Sequence, residues 1–107
     1  MARRLHIVAT TLPSAQDAER IAGALVGERL AVCAQIGATV RSRYRWQGEL
    51  EDRPETPLVL KVRHDRLEAC VGSLQALHPY ETPEILAWPA ETVDPGYLAW
   101  AYGEDGA

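Results

Sequence analysis

The chain has 107 residues, with 11 basic and 15 acidic side chains, a net charge of −4 and 47% hydrophobic residues. That is the composition of one average soluble globular domain. It lacks the basic balance that a dedicated nucleic-acid binder needs for phosphate attraction, and no apolar run approaches the ~18–20 residues of a membrane helix.

The first element in chain order is Leu5-His6-Ile7-Val8-Ala9, a short β-rich run expected to be a buried strand. Ser14, with Asp17 three residues on, has the form of a helix cap. Ala18, Ile21, Ala22, Leu25 and Val26 then make one helical apolar stripe. Val32 to Trp46 reads as extended, with Val40, Ser42, Tyr44 and Trp46 alternating with Arg41, Arg43 and Arg45. Gln47-Gly48 is a turn, and Pro54 and Pro57 are expected to interrupt the returning strand. Leu58 to Val62 is a core strand.

A second helix is expected from Asp65 to His78, ending there because Pro79 disfavours the helical conformation in the residue before it. Its apolar face carries Leu67, Cys70, Val71, Leu74 and Leu77. Glu84 to Trp88 is another strand, Asp94-Pro95 opens a short last helix, and residues 103–107 are expected to fray. The order β-α-β, β-α-β plus a terminal helix predicts a single α+β domain over residues 1–107. The fold expected is a ferredoxin-like split βαβ sandwich, an antiparallel sheet with two helices on one face.

The middle hairpin is too long for such a domain. Thr39–Trp46 spans about 27 Å and the stretch from Val32 about 50 Å, against a radius of gyration of about 13 Å for 100 residues. An overhanging hairpin is an open hydrogen-bonding edge, and a second copy of the same hairpin covers it most simply. This predicts a homo-oligomer joined by strand pairing, unless Gly37 kinks the stretch into two ordinary strands.

The candidate chemistry is sparse. The stripe Arg41/Arg43/Arg45 faces Glu49, Glu51, Asp52 and Glu55 across the turn, and pairing between them is the simpler reading than anion binding. His78 is an imidazole at a helix end, with no His or Cys within one helical turn. His6 and His64 have no helical or strand partner by spacing. Cys33 and Cys70 form neither a disulfide framework nor a CxxC hairpin, and both are expected to be buried in a reduced, cytoplasmic protein. There is no Gly-rich phosphate loop and no nucleophile–base spacing, so no enzyme reaction is read.

The residues Ala31-Val32-Cys33-Ala34, Tyr44-Arg45-Trp46-Gln47-Gly48-Glu49, Glu55, Lys61, the run His78 to Ile85, Pro89 and Tyr97-Leu98-Ala99-Trp100 resemble the CutA family of divalent-cation-tolerance proteins over nearly the whole chain. The resemblance implies a cytoplasmic homotrimer like the PII signalling proteins, closed through the long hairpin, with a link to copper and other divalent metals and no catalysis. It also implies a copper site with a cysteine after the first strand and two histidines after the second helix. Here those positions hold Thr10 and Leu77-His78. His78 is then the surviving metal ligand, with Glu84 or Glu81 as carboxylate help. Tyr44, Trp46, Lys61, Tyr80 and Trp100 are the candidates for a ligand cleft or a subunit interface. The rival reading is a PII-like sensor that binds a small anion or a partner protein between subunits.

Overall fold

The computed structural model describes residues 3–104. Strand β1 is Leu5–Leu12. It runs three residues past the expected end because Thr10, Thr11 and Leu12 find partners in Leu58, Pro57 and Thr56. Helix α1 is Ala15–Gly27, and its N-cap Ser14 accepts a hydrogen bond from the Asp17 amide. That bond satisfies an amide the helix itself leaves unpaired. Ala18, Ile21, Ala22 and Leu25 are buried, whereas Val26 at the edge of the stripe is exposed.

The long extended stretch is divided. Strand β2 is Cys33–Ile36 and strand β3 is Val40–Trp46, so the chain does break at Gly37. Both pieces nevertheless pair with one continuous strand, β4, Glu49–Arg63. Gln47 and Gly48 between β3 and β4 both have positive φ, 51° and 82°, as a two-residue type I′ hairpin requires.

The expected interruption at Pro54 and Pro57 does not occur, and the ladder explains why. The Pro57 carbonyl accepts from the Gly37 amide. In an antiparallel strand the nitrogen of a residue faces the same side as its carbonyl. The missing N–H of Pro57 therefore points into the gap between β2 and β3, where no strand partner waits. Pro54 lies beyond the end of β1, whose last pair is Leu12 with Thr56.

A 3-10 turn, His64–Arg66, leads into helix α2, Leu67–Leu77, which His78 caps just before Pro79. Strand β5 is Ile85–Pro89 and helix α3 is Pro95–Ala99, with the Asp94 carboxylate accepting from the Gly96 and Tyr97 amides. A π-helical turn, Trp100–Glu104, follows. Gly103 and Glu104 thus belong to this turn rather than to a frayed tail, and residues 105–107 lie outside the described residues.

The antiparallel sheet has the order β2-β4-β1-β5, with β3 continuing along β4 past β2. This is the order expected of a split βαβ sandwich. One core joins Val8 and Leu12 of β1, Ile21 and Leu25 of α1, Leu58, Leu60 and Val62 of β4, and Cys70 and Leu74 of α2. Both long helices therefore cover the same face. Residues of the other parity face away from the helices, and of these Leu86 and Trp88 of β5 are exposed. The β3–β4 hairpin projects as an arm. The molecule measures 46 × 25 × 23 Å and its radius of gyration is 14.7 Å, above the ~13 Å of a compact domain this size.

Candidate functional site at the base of the arm

A cleft of about 630 Å³ lies where the arm leaves the body, within the size range of small-molecule sites. The arm supplies Tyr44 and Trp46 from β3 and Glu51, Arg53 and Glu55 from β4; the loop after α2 supplies Tyr80, Glu81, Thr82 and Glu84. Strand alternation makes this possible. Tyr44 pairs with Glu51 and Ser42 with Arg53, so these side chains share one face of the hairpin.

Tyr80 and Glu55 hold the two walls together. The Tyr80 hydroxyl donates to Glu55 Oε2 at 2.8 Å, and Glu55 is only 6% exposed. Burial, and then the Glu55 carboxylate, push the Tyr80 phenol up to about 12. Tyr80 therefore stays a donor at neutral pH and satisfies a carboxylate that would be costly to bury alone. Arg53 pairs with Glu51 at 3.0 Å. On the opposite face of the arm, Arg41 and Arg43 both reach Asp52, at 2.8 and 3.1 Å. The expected cross-strand pairing holds for these two arginines, while Arg45 is unpaired among the described residues.

Of the candidates read from the sequence, the cleft gathers Tyr44, Trp46, Tyr80, Glu81 and Glu84. Lys61 lies elsewhere, bonded to Gln35 on the helix-free face of the sheet. Trp100 is also elsewhere, against Tyr97 with ring centroids 5.5 Å apart.

His78 is not a cleft residue. It is 7% exposed, and both ring nitrogens are engaged. Its Nδ1 accepts from the Tyr80 amide at 3.1 Å. Its Nε2 donates to the Thr11 carbonyl at 3.0 Å and meets the Thr10 hydroxyl at 3.1 Å. Burial lowers its pKa from the ordinary 6.5, which keeps the ring neutral at pH 7. A metal ligand needs a free lone pair, and this imidazole offers none. The copper site implied by the resemblance therefore does not fit the residues around His78 in one chain. Among the described residues no three His, Cys, Asp or Glu side chains are grouped to hold a metal ion.

The cysteines behave differently from each other. Cys70 is buried, and its thiol is pushed up to about 11 by burial. Cys33, expected to be buried, is half-buried on the helix-free face. Sequence spacing also missed a contact. His6 and His64, read as unpartnered, stack with centroids 5.1 Å apart, and His6 Nε2 lies 2.9 Å from His64 Nδ1. The pairing of His6 with Val62 across β1 and β4 brings residue 64 alongside, and no periodicity within one element reports that.

These features define a small α+β protein with a projecting hairpin arm and an aromatic, carboxylate-bearing cleft at its base. The family model for "CutA1 divalent ion tolerance protein" matches residues 6–104. The chain belongs to that family. It is 35% identical over 94 residues to the divalent-cation tolerance protein CutA of Yersinia pestis (strain Pestoides F), covering 88% of this chain and 79% of that one. Among solved structures it is similar to the divalent cation tolerance protein from Thermus thermophilus, with 41% identity, a TM-score of 0.85 and 90% and 93% of the two chains covered. It also matches CutA1 from Ehrlichia chaffeensis, with 29% identity, a TM-score of 0.89 and 94% of each chain covered. A further match, at 32% identity and a TM-score of 0.86 over 91% and 94% of the chains, is described as the periplasmic divalent cation tolerance protein CutA from Archaeoglobus fulgidus. No helix among the described residues is long and apolar enough to cross a membrane.

Proposed function

We propose that this chain serves divalent-cation tolerance as a non-catalytic, PII-like homotrimer in the cytoplasm, assembled by strand pairing of the β3–β4 arm. The observation that carries the reading is the arm itself. The outer edge of β3 is unpaired among the described residues, and Val40, Tyr44, Trp46 and Leu50 are exposed along the hairpin. A free backbone edge bearing large apolar side chains invites a matching strand. A head-to-tail contact of this kind closes into a ring when the rotation is three-fold. Aromatic side chains are also the residues that subunit interfaces enrich.

In this reading a copper ion bound at His78 has no part. The carboxylates Glu81 and Glu84, exposed at the cleft, suit hard divalent ions better than copper. Two unlinked thiols, Cys33 and Cys70, are in keeping with a reducing compartment. Light scattering after size-exclusion chromatography is expected to give three times the 11.8 kDa chain mass. A single-chain mass at micromolar concentration contradicts the reading.

A further inference from the structure

We propose that the cleft at the base of the arm binds a small aliphatic amine carrying two or more ammonium groups, with Glu55 as its buried anchor. Glu55 is 6% exposed, yet it lines the cleft. A buried carboxylate needs several donors or a cation to offset its lost hydration. Among the described residues this one accepts a single side-chain hydrogen bond, from the Tyr80 hydroxyl to Oε2. Its other oxygen, Oε1, takes none among them, and no lysine or arginine pairs with it. Arg53, which lines the same cleft, is held by Glu51 at 3.0 Å. The wall of the cleft thus carries a buried acceptor with neither a donor nor a countercharge of its own. An ammonium group brings three N–H donors and the missing charge together.

The rest of the lining selects the sign of the ligand. Glu51, Glu55, Glu81 and Glu84 stand against Arg43 and Arg53. Both arginines are already paired, Arg43 with Asp52 on the opposite face of the arm and Arg53 with Glu51. Glu55, Glu81 and Glu84 are left without a cation among the described residues. A small anion, the ligand of the rival reading, would meet this uncompensated negative charge.

The placement of the charges selects the shape. Among the described residues no three His, Cys, Asp or Glu side chains are grouped to hold one metal ion. The negative charge is instead divided between buried Glu55 on β4 and exposed Glu81 and Glu84 on the loop after α2. That division suits positive charges spaced along a carbon chain better than one concentrated ion. Tyr44 and Trp46 supply aromatic surface at the cleft, against which methylenes pack and an ammonium group gains cation–π attraction. Strand pairing at the edge of β3 adds a strand beside this face of the hairpin rather than over it. The site therefore goes beyond the proposed assembly and does not rest on it.

The test is calorimetric titration of the full chain at pH 7.5 with three probes of one length, 1,4-diaminobutane, 1,4-butanediol and succinate. The expected result is about one diamine per chain and no binding of the diol or the dicarboxylate. In Glu55→Gln the side-chain carbonyl still accepts from Tyr80, while the new amide turns N–H donors toward a ligand that has only donors. The diamine is expected to bind this variant at least about tenfold more weakly. Glu84→Gln, an exposed position that leaves the core untouched, is expected to weaken binding about threefold. Glu19→Gln, exposed on α1, is expected to change nothing, which separates a site from general attraction to an acidic chain. Thermal unfolding checks the fold of Glu55→Gln, and light scattering of the ligand-free chain reads the assembly separately from the site. No diamine binding by the native chain, equal binding of the diol or succinate, tighter binding of Mg²⁺ than of the diamine, unchanged binding in a folded Glu55→Gln or in Glu84→Gln, or weakening in Glu19→Gln as large as in Glu84→Gln overturns the proposal.

Discussion

His78→Ala is expected to lower the free energy of unfolding by about 3 kcal/mol. The imidazole joins the end of β1 to the loop that carries Tyr80. Its loss strands three partners, the Tyr80 amide, the Thr11 carbonyl and the buried Thr10 hydroxyl. Each buried polar group left unsatisfied costs about 1–3 kcal/mol, part of which entering water recovers. Because Tyr80 also holds Glu55, the cleft should loosen with the body.

The same residue gives a pH dependence. The unfolded chain takes up a proton on His78 near the ordinary value of 6.5, whereas burial lowers that pKa in the fold. The unfolded state then binds more protons as pH falls below about 6.5, so stability falls with it and is complete above that pH. His6, lowered chiefly by burial, adds a term of the same sign. Denaturant unfolding from pH 8 to pH 5 should show this decline, and a shallower decline in His78→Ala. An alanine variant as stable as the native chain would show that the three hydrogen bonds contribute nothing.

The second large effect concerns assembly. Trp46 and Leu50 are 46% and 65% exposed on the arm. The double substitution Trp46→Asp and Leu50→Asp therefore removes little from the core of a single chain. Within a trimer each buried side chain of this kind contributes about 1.5–3 kcal/mol, and three-fold symmetry repeats the loss in every subunit. The expected outcome is a folded monomer by light scattering, with the far-ultraviolet circular dichroism of the native chain. A variant that stays trimeric would locate the interface away from the arm.

The helices were legible in the sequence because local chemistry marks their ends. Ser14 and Asp17 start α1, Pro79 stops α2, and Asp94-Pro95 starts α3. The interruptions of the strands were not legible in the same way. Whether Pro57 breaks a ladder depends on which side its nitrogen faces and on what stands there, and that is a property of three strands together. Gly37 was named in the sequence as the place where the stretch could divide, but not the reason for it, which lies in Pro57, whose ring is 3.3 Å from where a Gly37 side chain would begin.

The site was legible in its identities more than in its connections. Tyr44, Trp46, Tyr80 and Glu84 do meet in one cleft. The burial of Glu55 against Tyr80 and the contact between His6 and His64 join residues 25 and 58 positions apart. The register of β1 on β4 creates the second of these contacts, and the packing of the loop after α2 against the arm creates the first. For His78 the residue type suggested a ligand, and its hydrogen bonds decide against that role within one chain.

In the proposed trimer another copy of the chain covers the outer edge of β3. Amide hydrogen exchange across Val40–Trp46 tests it most directly. One side of β3 bonds to β4, so the amides facing the other side are protected only if a second strand lies there. The prediction is that these outward amides exchange at least about tenfold more slowly than those of an open edge, and that Trp46→Asp with Leu50→Asp abolishes the protection. Outward amides in the native chain that exchange as fast as an open edge would contradict it.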